Sequence, residues 1–216
     1  MRLYPIFFLI LISAINQASA ANVNYTQDRR YTFSSSNNGA GTSSSATTHP
    51  SAPYADMTVP GQTSKLGPNG FSASGSGSAY SNYASSRLES GFDISFSVAN
   101  STTLTLSGML DGYDTLYGSG DASIFLYRGD NLLPANQLYG NSVQAHFGRQ
   151  SADISYSALL SAGEYRLVAT ANPYYQQASS GFNVNASFTP VPVPAAAWLF
   201  GSGLLGLIGM KGKRRG

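Results

Sequence analysis

Phe92-Asp93-Ile94-Ser95-Phe96-Ser97-Val98 decides the fold. Phe92, Ile94, Phe96 and Val98 share one face of an extended chain, and Asp93, Ser95 and Ser97 share the other. That is the period of a strand with one face on a core. Asn100 supplies a turn residue, and Leu104 and Leu106 resume the alternation. Ile124 and Leu126 lie between the turns Gly118-Ser119-Gly120-Asp121 and Gly129-Asp130-Asn131. Further rows follow: Val143, Ala145 and Phe147; Ile154, Tyr156 and Ala158; Tyr165, Leu167 and Ala169; Phe182, Val184, Ala186 and Phe188. Seven short strands with turns between them predict an all-β fold, an antiparallel β-sandwich or jelly-roll-like domain over residues 86–190. No helical period of useful length interrupts them, which argues against a parallel α/β architecture.

Upstream, residues 21–85 read differently. Tyr31-Thr32-Phe33 suggests a short strand, but Ser34 to Thr48 is almost wholly Ser, Thr, Asn, Gly and Ala, and Ser72 to Ser78 is a second Ser/Gly tract. Such sequence gains little from burial and loses much chain entropy on ordering. The expectation is a partly flexible linker or a set of long surface loops.

The two ends carry sorting signals. Arg2 precedes the apolar run Ile6 to Ile12, and Ala18-Ser19-Ala20 then places small residues where a signal peptidase needs them. This is the order of a cleavable secretory signal over residues 1–20, with the cut between Ala20 and Ala21. The run is too short to cross a bilayer core of about 30 Å as a stable helix; the alternative reading is an uncleaved N-terminal anchor. At the other end, Val191-Pro192-Val193-Pro194 is stiff and extended. An uncharged apolar segment, Ala195 to Met210, follows, and Lys211, Lys213, Arg214 and Arg215 close the chain. As a helix that segment spans roughly 24 Å, enough for a membrane with help from its flank. The basic tip resists translocation and is expected to stay cytoplasmic.

A Pro-x-Pro motif, an apolar helix and a basic tip, in that order over residues 191–216, resemble the sorting tails of exosortase (PEP-CTERM) substrates, in a variant similar to Val-Pro-Leu-Pro-Ala. The family's name-giving motif has Glu where this chain has Val193. The resemblance implies removal of the tail by a membrane transpeptidase and transfer to the cell surface or extracellular matrix. The same physics also describes a plain C-terminal membrane anchor.

Between its ends the chain is mildly acidic. Residues 21–192 hold seven of the twelve Lys and Arg but all ten Asp and Glu, a net charge of −3 against +2 for the whole. No clustered basic surface for nucleic acid is expected. There is no cysteine, which excludes thiol catalysis, disulfides and thiolate metal sites. The fold has to be held by packing, for which the chain is long enough.

Chemistry is sparse. The histidines are His49, in the low-complexity stretch, and His146, on the polar side of its strand. No nucleophile elbow sits at a strand-to-helix turn, and no His-Glu-x-x-His occurs. Asp111, Asp114 and Asp121, with Asp130, lie in or beside Gly-rich turns. Oxygen ligands on loops suit Ca²⁺, but the spacing matches no EF-hand, and Asp is an ordinary turn residue. Arg128-Gly129-Asp130 reads as the start of a turn rather than as an adhesion tripeptide. The stretch Asn172-Pro173-Tyr174-Tyr175-Gln176-Gln177 joins two aromatics to three amides, and Tyr113 and Tyr117 decorate another loop. Tyrosine faces and amides suit sugar rings and hydroxyls, so Tyr174, Tyr175, Gln176 and Gln177 are the candidate glycan site; the plainer reading is that these tyrosines cover the end of a sandwich.

The sequence therefore predicts an exported, non-catalytic protein of the cell surface or extracellular matrix, with no cofactor. Its expected partners are the secretion machinery and signal peptidase, the inner membrane before processing, an exosortase, and extracellular polysaccharide. The alternative is a carbohydrate-binding module of that polysaccharide; a secreted hydrolase is disfavoured.

Overall fold

The alternation over residues 92–98 is the second half of a longer strand, Ala84–Val98, at the centre of an antiparallel sheet. The computed structural model describes residues 23–37, 42–48, 56–82, 84–115, 118–174 and 177–191. In chain order its strands are β1 (Val23–Asp28), β2 (Tyr31–Asn37), β3 (Thr42–Thr48), β4 (Met57–Val59), β5 (Gln62–Gly67), β6 (Gly70–Asn82), β7 (Ala84–Val98), β8 (Thr102–Asp114), β9 (Ser119–Arg128), β10 (Gln137–Ala145), β11 (Gly148–Leu160), β12 (Gly163–Tyr174) and β13 (Ala178–Pro190). A 3-10 turn, Pro134–Asn136, precedes β10. Among the described residues the fold is all-β and antiparallel, and the seven strands read from the sequence correspond to β7 through β13. The expected signal helix, with Ala18, Ala20 and Ala21, and the expected tail helix, with Pro192, Val193 and Pro194, lie outside the described residues. Among the described residues no helix is long and apolar enough to cross a membrane.

The division expected near residue 86 is corrected. Residues 20–189 form one compact unit, and β1 to β6 hydrogen-bond into the same sheet as the later strands. β7 is flanked on both sides along its length. Its second half pairs with β12 and β1, so that Tyr165 and Tyr25 both lie opposite Phe96; its first half pairs with β2 and β6. β6 then leaves β7 and pairs with β13 and β5. The hydrogen-bonded path runs β10-β9-β12-β7-β6-β13-β8-β11. The sheet folds over at β6, and its two ends approach each other: Asn141 of β10 donates its side-chain amide to the backbone oxygen of Asp153 in β11, 3.0 Å away. The result is an antiparallel sheet nearly closed on itself.

The inner rows meet in one core. Phe92, Ile94 and Phe96 of β7, Leu104 and Leu110 of β8, Ile124 and Leu126 of β9, Leu167 of β12 and Val184 of β13 are fully buried. Phe96 packs edge-on against Phe188, with ring centres 5.2 Å apart, and Phe71 of β6 lies 5.3 Å from Phe92. These contacts join the two halves of the sheet. Burying each such ring contributes about 1.5–3 kcal/mol.

The Ser/Gly tract owes its order to what lies across from it. The inner row of β6 reads Phe71, Ala73, Gly75, Gly77, Ala79, all buried. A Cβ on Gly75 would enter the ring of Phe182, and one on Gly77 would enter the ring of Pro173. The tract is a central strand whose missing side chains admit those of its neighbours, so composition misled where register decides. Phe147 is a second correction. β10 ends at Ala145, and Phe147 sits in the turn at a φ of 60°, 71% exposed rather than in the core.

Gly75→Ala is expected to cost about 1–3 kcal/mol by overpacking. Ser76→Ala, on the exposed side of the same strand, should change stability by less than about 0.5 kcal/mol. Denaturant unfolding of the two variants checks this; equal, negligible effects would mean that β6 is not packed as described.

Candidate functional site

Pairing collects four connections at one end of the sheet. Ser119 lies opposite Tyr174, Gly120 opposite Pro173 and Ala145, Gly148 opposite Asp114, and Ala178 opposite Ala79. The β6–β7, β8–β9, β10–β11 and β12–β13 turns are therefore neighbours. β12 delivers the candidate loop with its alternation intact: Ala171 and Pro173 are buried, Asn172 and Tyr174 exposed. Pro173 fills the space over Gly77 and so anchors the end of β12 in the core. Tyr174 is 61% exposed, with the Arg87 guanidinium carbon 6.0 Å from its ring centre, the range of a weak cation–π contact. The same guanidinium donates to Asn172 Oδ1 and to Glu89 Oε1. Arg87 thus ties β7 to the strand that carries Tyr174.

The two loops singled out from the sequence meet. Thr115 Oγ1 donates to Gln177 Oε1 at 3.1 Å, and Gln177 holds a left-handed φ of 52°. Tyr113 is exposed beside them, while Tyr175, Gln176 and Tyr117 lie outside the described residues. Tyr80, 63% exposed, and Phe147 add two aromatics to this end that the sequence reading did not assign to it. Phe147 had the period of a core residue; the Gly148 after it was the one local sign of a turn. Tyr80 and Arg87 fall in or beside sequence read as linker.

The calcium candidates do not converge. Asp111 and Asp114 point to opposite faces of β8, and Asp111 lies against the backbone of Gly181. Asp114 is buried, and its Oδ2 accepts the Gly118 N–H at 3.1 Å, the role of a turn aspartate. Asp121 accepts from Ser119 Oγ. Among the described residues no group of three or more His, Cys, Asp or Glu is placed to hold a metal ion. His146 bonds the Gly118 carbonyl through Nδ1 at 3.2 Å. His49 lies outside the described residues.

The densest charge cluster lies on the outer face of β7, away from the turn end. Arg166 grips Asp93 with two bonds, Nε to Oδ1 at 2.8 Å and Nη2 to Oδ2 at 2.6 Å, and its Nη1 donates to the backbone oxygen of Asp130 at 3.0 Å. Arg29 Nη2 donates to both Asp130 oxygens at 2.6 and 2.8 Å, and Ser95 Oγ donates to Oδ1 at 2.7 Å. The Arg128-Gly129-Asp130 turn is thereby tied down by its own aspartate. Partial desolvation pushes the Asp130 carboxyl up, but the bonds from Ser95 and Arg29, with the charges of Arg29 and Arg166, outweigh it and hold the group below the usual carboxylate range. Tyr31, whose ring covers Gly91, is pushed up, first by burial and then by Glu89 and Asp93.

No family model and no curated protein matches this chain. Among solved structures it is similar to TmCBM61 in complex with beta-1,4-galactotriose, at 10% identity over 61% of this chain and 83% of that one, with a TM-score of 0.24. It is also similar to the structure of the infectious bursal disease virus Gt strain (12% identity, 82% of this chain, TM-score 0.29) and to that virus's VP2 subviral particle (11%, 79%, 0.26). It spans about three fifths of those viral chains, 61% and 58%. Superpositions this loose define no shared family and assign no ligand.

Asp130 gives a pH test. Its folded pKa lies below the unfolded value of about 3.9, so the stabilisation it provides is complete above that value and is lost as pH falls through the folded one. Carboxyl NMR should place its midpoint below that of an ordinary aspartate, and Arg29→Gln should move it up. An unchanged midpoint in that variant would mean that Arg29 does not hold the carboxylate.

Proposed function

We propose that this chain is an exported, non-catalytic component of the cell surface or extracellular polysaccharide matrix. It passes the inner membrane on an N-terminal signal helix, is held there by a C-terminal helix, and is released from it by an exosortase. The observation that carries this reading is the tail: a Pro-x-Pro motif at Val191 to Pro194, an uncharged apolar segment, and a basic tip, in that order. The alternating pattern and the folded-over sheet suit a jelly-roll-like sandwich, a common scaffold of surface proteins. The engaged polar groups support a structural role: His146, Asp114, Asp93 and Asp130 each bond the fold itself.

Mass analysis of the protein from its native envelope tests this. The mature form should begin near Ala21 and lack Trp198 together with the basic tip. Recovery of Arg215 on the outer surface would overturn exosortase processing and leave a membrane anchor.

A specific observation favours a second reading, carbohydrate binding at the turn end. Tyr174 is mostly exposed on a strand end fixed from below by Pro173 and from the side by Arg87 and Asn172. A ring held in place loses little entropy when a flat sugar face stacks on it, and Asn172 and Gln177 supply amides nearby. Tyr174→Ala should weaken binding to the organism's own polysaccharide by about tenfold while leaving the thermal midpoint nearly unchanged. Undiminished binding, or a loss that tracks unfolding, would remove Tyr174 from any glycan site.

A further inference from the structure

Unpaired strand edges invite another strand, and proteins usually block them with charge, proline, bulges or shortness. Most edges of this sheet are blocked. β10 and β11 face each other across the seam bridged by Asn141. β4 has three residues and is flanked by Asp56 and Pro60. β1 is bulged between Tyr25 and Gln27 and ends on Asp28.

β3 is different. It is paired with β2 along all seven of its residues, Tyr31 opposite Thr48 through Asn37 opposite Thr42, and among the described residues no strand pairs with its other edge. From Tyr31 to Thr48 the sequence contains no charged residue and no proline. The strand is Thr-Ser-Ser-Ser-Ala-Thr-Thr, hydroxyl-bearing at six of seven positions, and nothing in it repels a copy of itself.

We propose that β3 is a self-association edge, pairing antiparallel with β3 of a second copy about a two-fold axis through Ser45. In that register Thr42 lies opposite Thr48, Ser43 opposite Thr47, Ser44 opposite Ala46, and Ser45 opposite its own counterpart. Both partners present the same strand, as an isologous contact requires. The pairing extends each sheet into the other, β7–β2–β3 continuing into β3–β2–β7 of the second copy, and satisfies the outer row of backbone groups on both. Opposed hydroxyl residues are favourable in antiparallel sheets, and β2 and β3 already use one such pair: the hydroxyls of Ser34 and Ser45 are 2.8 Å apart. A second copy fits better than a different protein, because a neutral strand has no charge to select a foreign partner, whereas its own sequence matches it in length and chemistry. The inference goes beyond the matrix reading and does not depend on how the chain is exported or what it binds.

The test uses the full chain in mild detergent. Sedimentation equilibrium should show a monomer–dimer equilibrium, and hydrogen exchange should show β3 amide protection that rises with protein concentration. Ser45 is exposed, so Ser45→Lys and Ser45→Glu should lower the thermal midpoint of the monomer only slightly, through loss of the exposed Ser34–Ser45 hydroxyl pair. Each variant places like charges together on the axis and should weaken dimerisation by about tenfold or more. An equimolar mixture of the two should restore it, because opposite charges then meet. A monomer at all concentrations overturns the proposal, as does a dimer indifferent to both substitutions or a mixture no stronger than either variant alone. Protection of β3 that does not change with concentration would assign the edge to another segment of the same chain and also overturn it.

Discussion

The whole sheet depends on a steric constraint at β6. This strand is where the two halves join: one flank pairs with β13, and the other pairs first with β5 and then with β7. For the sheet to fold over, the inner faces must come close at the crease while staying far enough apart elsewhere to hold phenylalanines. The inner row of β6 meets both demands by tapering. Phe71 fills the wide part, touching Phe92 and Phe188; toward the crease the row shrinks to Gly75 and Gly77, and the rings of Phe182 and Pro173 take the space. Glycine is a poor strand former in isolation. Here its entropic cost is offset by the apolar area that its neighbours bury.

The second constraint is how the N-terminal strands attach. β1 and β2 form one broken line along β7, and the break falls at Arg29-Arg30. Adjacent residues of an extended chain point to opposite sides, and the two arginines use this. Arg29 turns to the outer face and joins Asp93, Ser95 and Asp130. Arg30 is buried, its guanidinium held by Asp28 and donating to Ser64 Oγ of β5 at 2.7 Å. An unpaired buried guanidinium would cost several kcal/mol. Its bonds remove most of that penalty and at the same time fix which strand lies beneath the break. Charge here specifies position more than it adds stability.

The later strands were legible because each shows one apolar face and one polar face, and the period survives turns of any length. Of the first six only β2 was, through Tyr31-Thr32-Phe33, and the rest were not, for a definite reason. Periodicity finds a strand by the side chains it buries, and β6 buries the side chains of Phe182 and Pro173 where its own are missing. Seen alone, Ser72 to Ser78 has nothing to distinguish it from a linker; only the residues opposite give it meaning. Phe147 failed in the reverse direction, since its spacing from Val143 and Ala145 fits the core but the backbone turns at His146. At the turn end the sequence supplied Tyr113, Tyr174 and Gln177 but not their grouping, which follows from strand register. Arg87 was invisible as a site residue because its partners, Glu89 and Asn172, are two and 85 positions away.

The taper also divides the interior chemically. At the wide end it is aromatic. Near the turn end it is lined by Gly75, Gly77, Ser90, Ser180 and Gln62, and the Ser90 and Ser180 hydroxyls and both polar atoms of the Gln62 side chain are buried without a protein partner among the described residues. An exposed aromatic is a poor anchor where a ligand would have to order it first. Tyr174 is set apart from that background. The strand beneath it is fixed by Pro173 over Gly77, and Arg87 braces it through Asn172 and Glu89. Tyr80 and Phe147 lack that pair of supports among the contacts described. The end therefore combines Tyr174, on a strand braced by Pro173 and Arg87, with Tyr80 and Tyr113 near the ends of β6 and β8 and with Phe147 in the turn between β10 and β11.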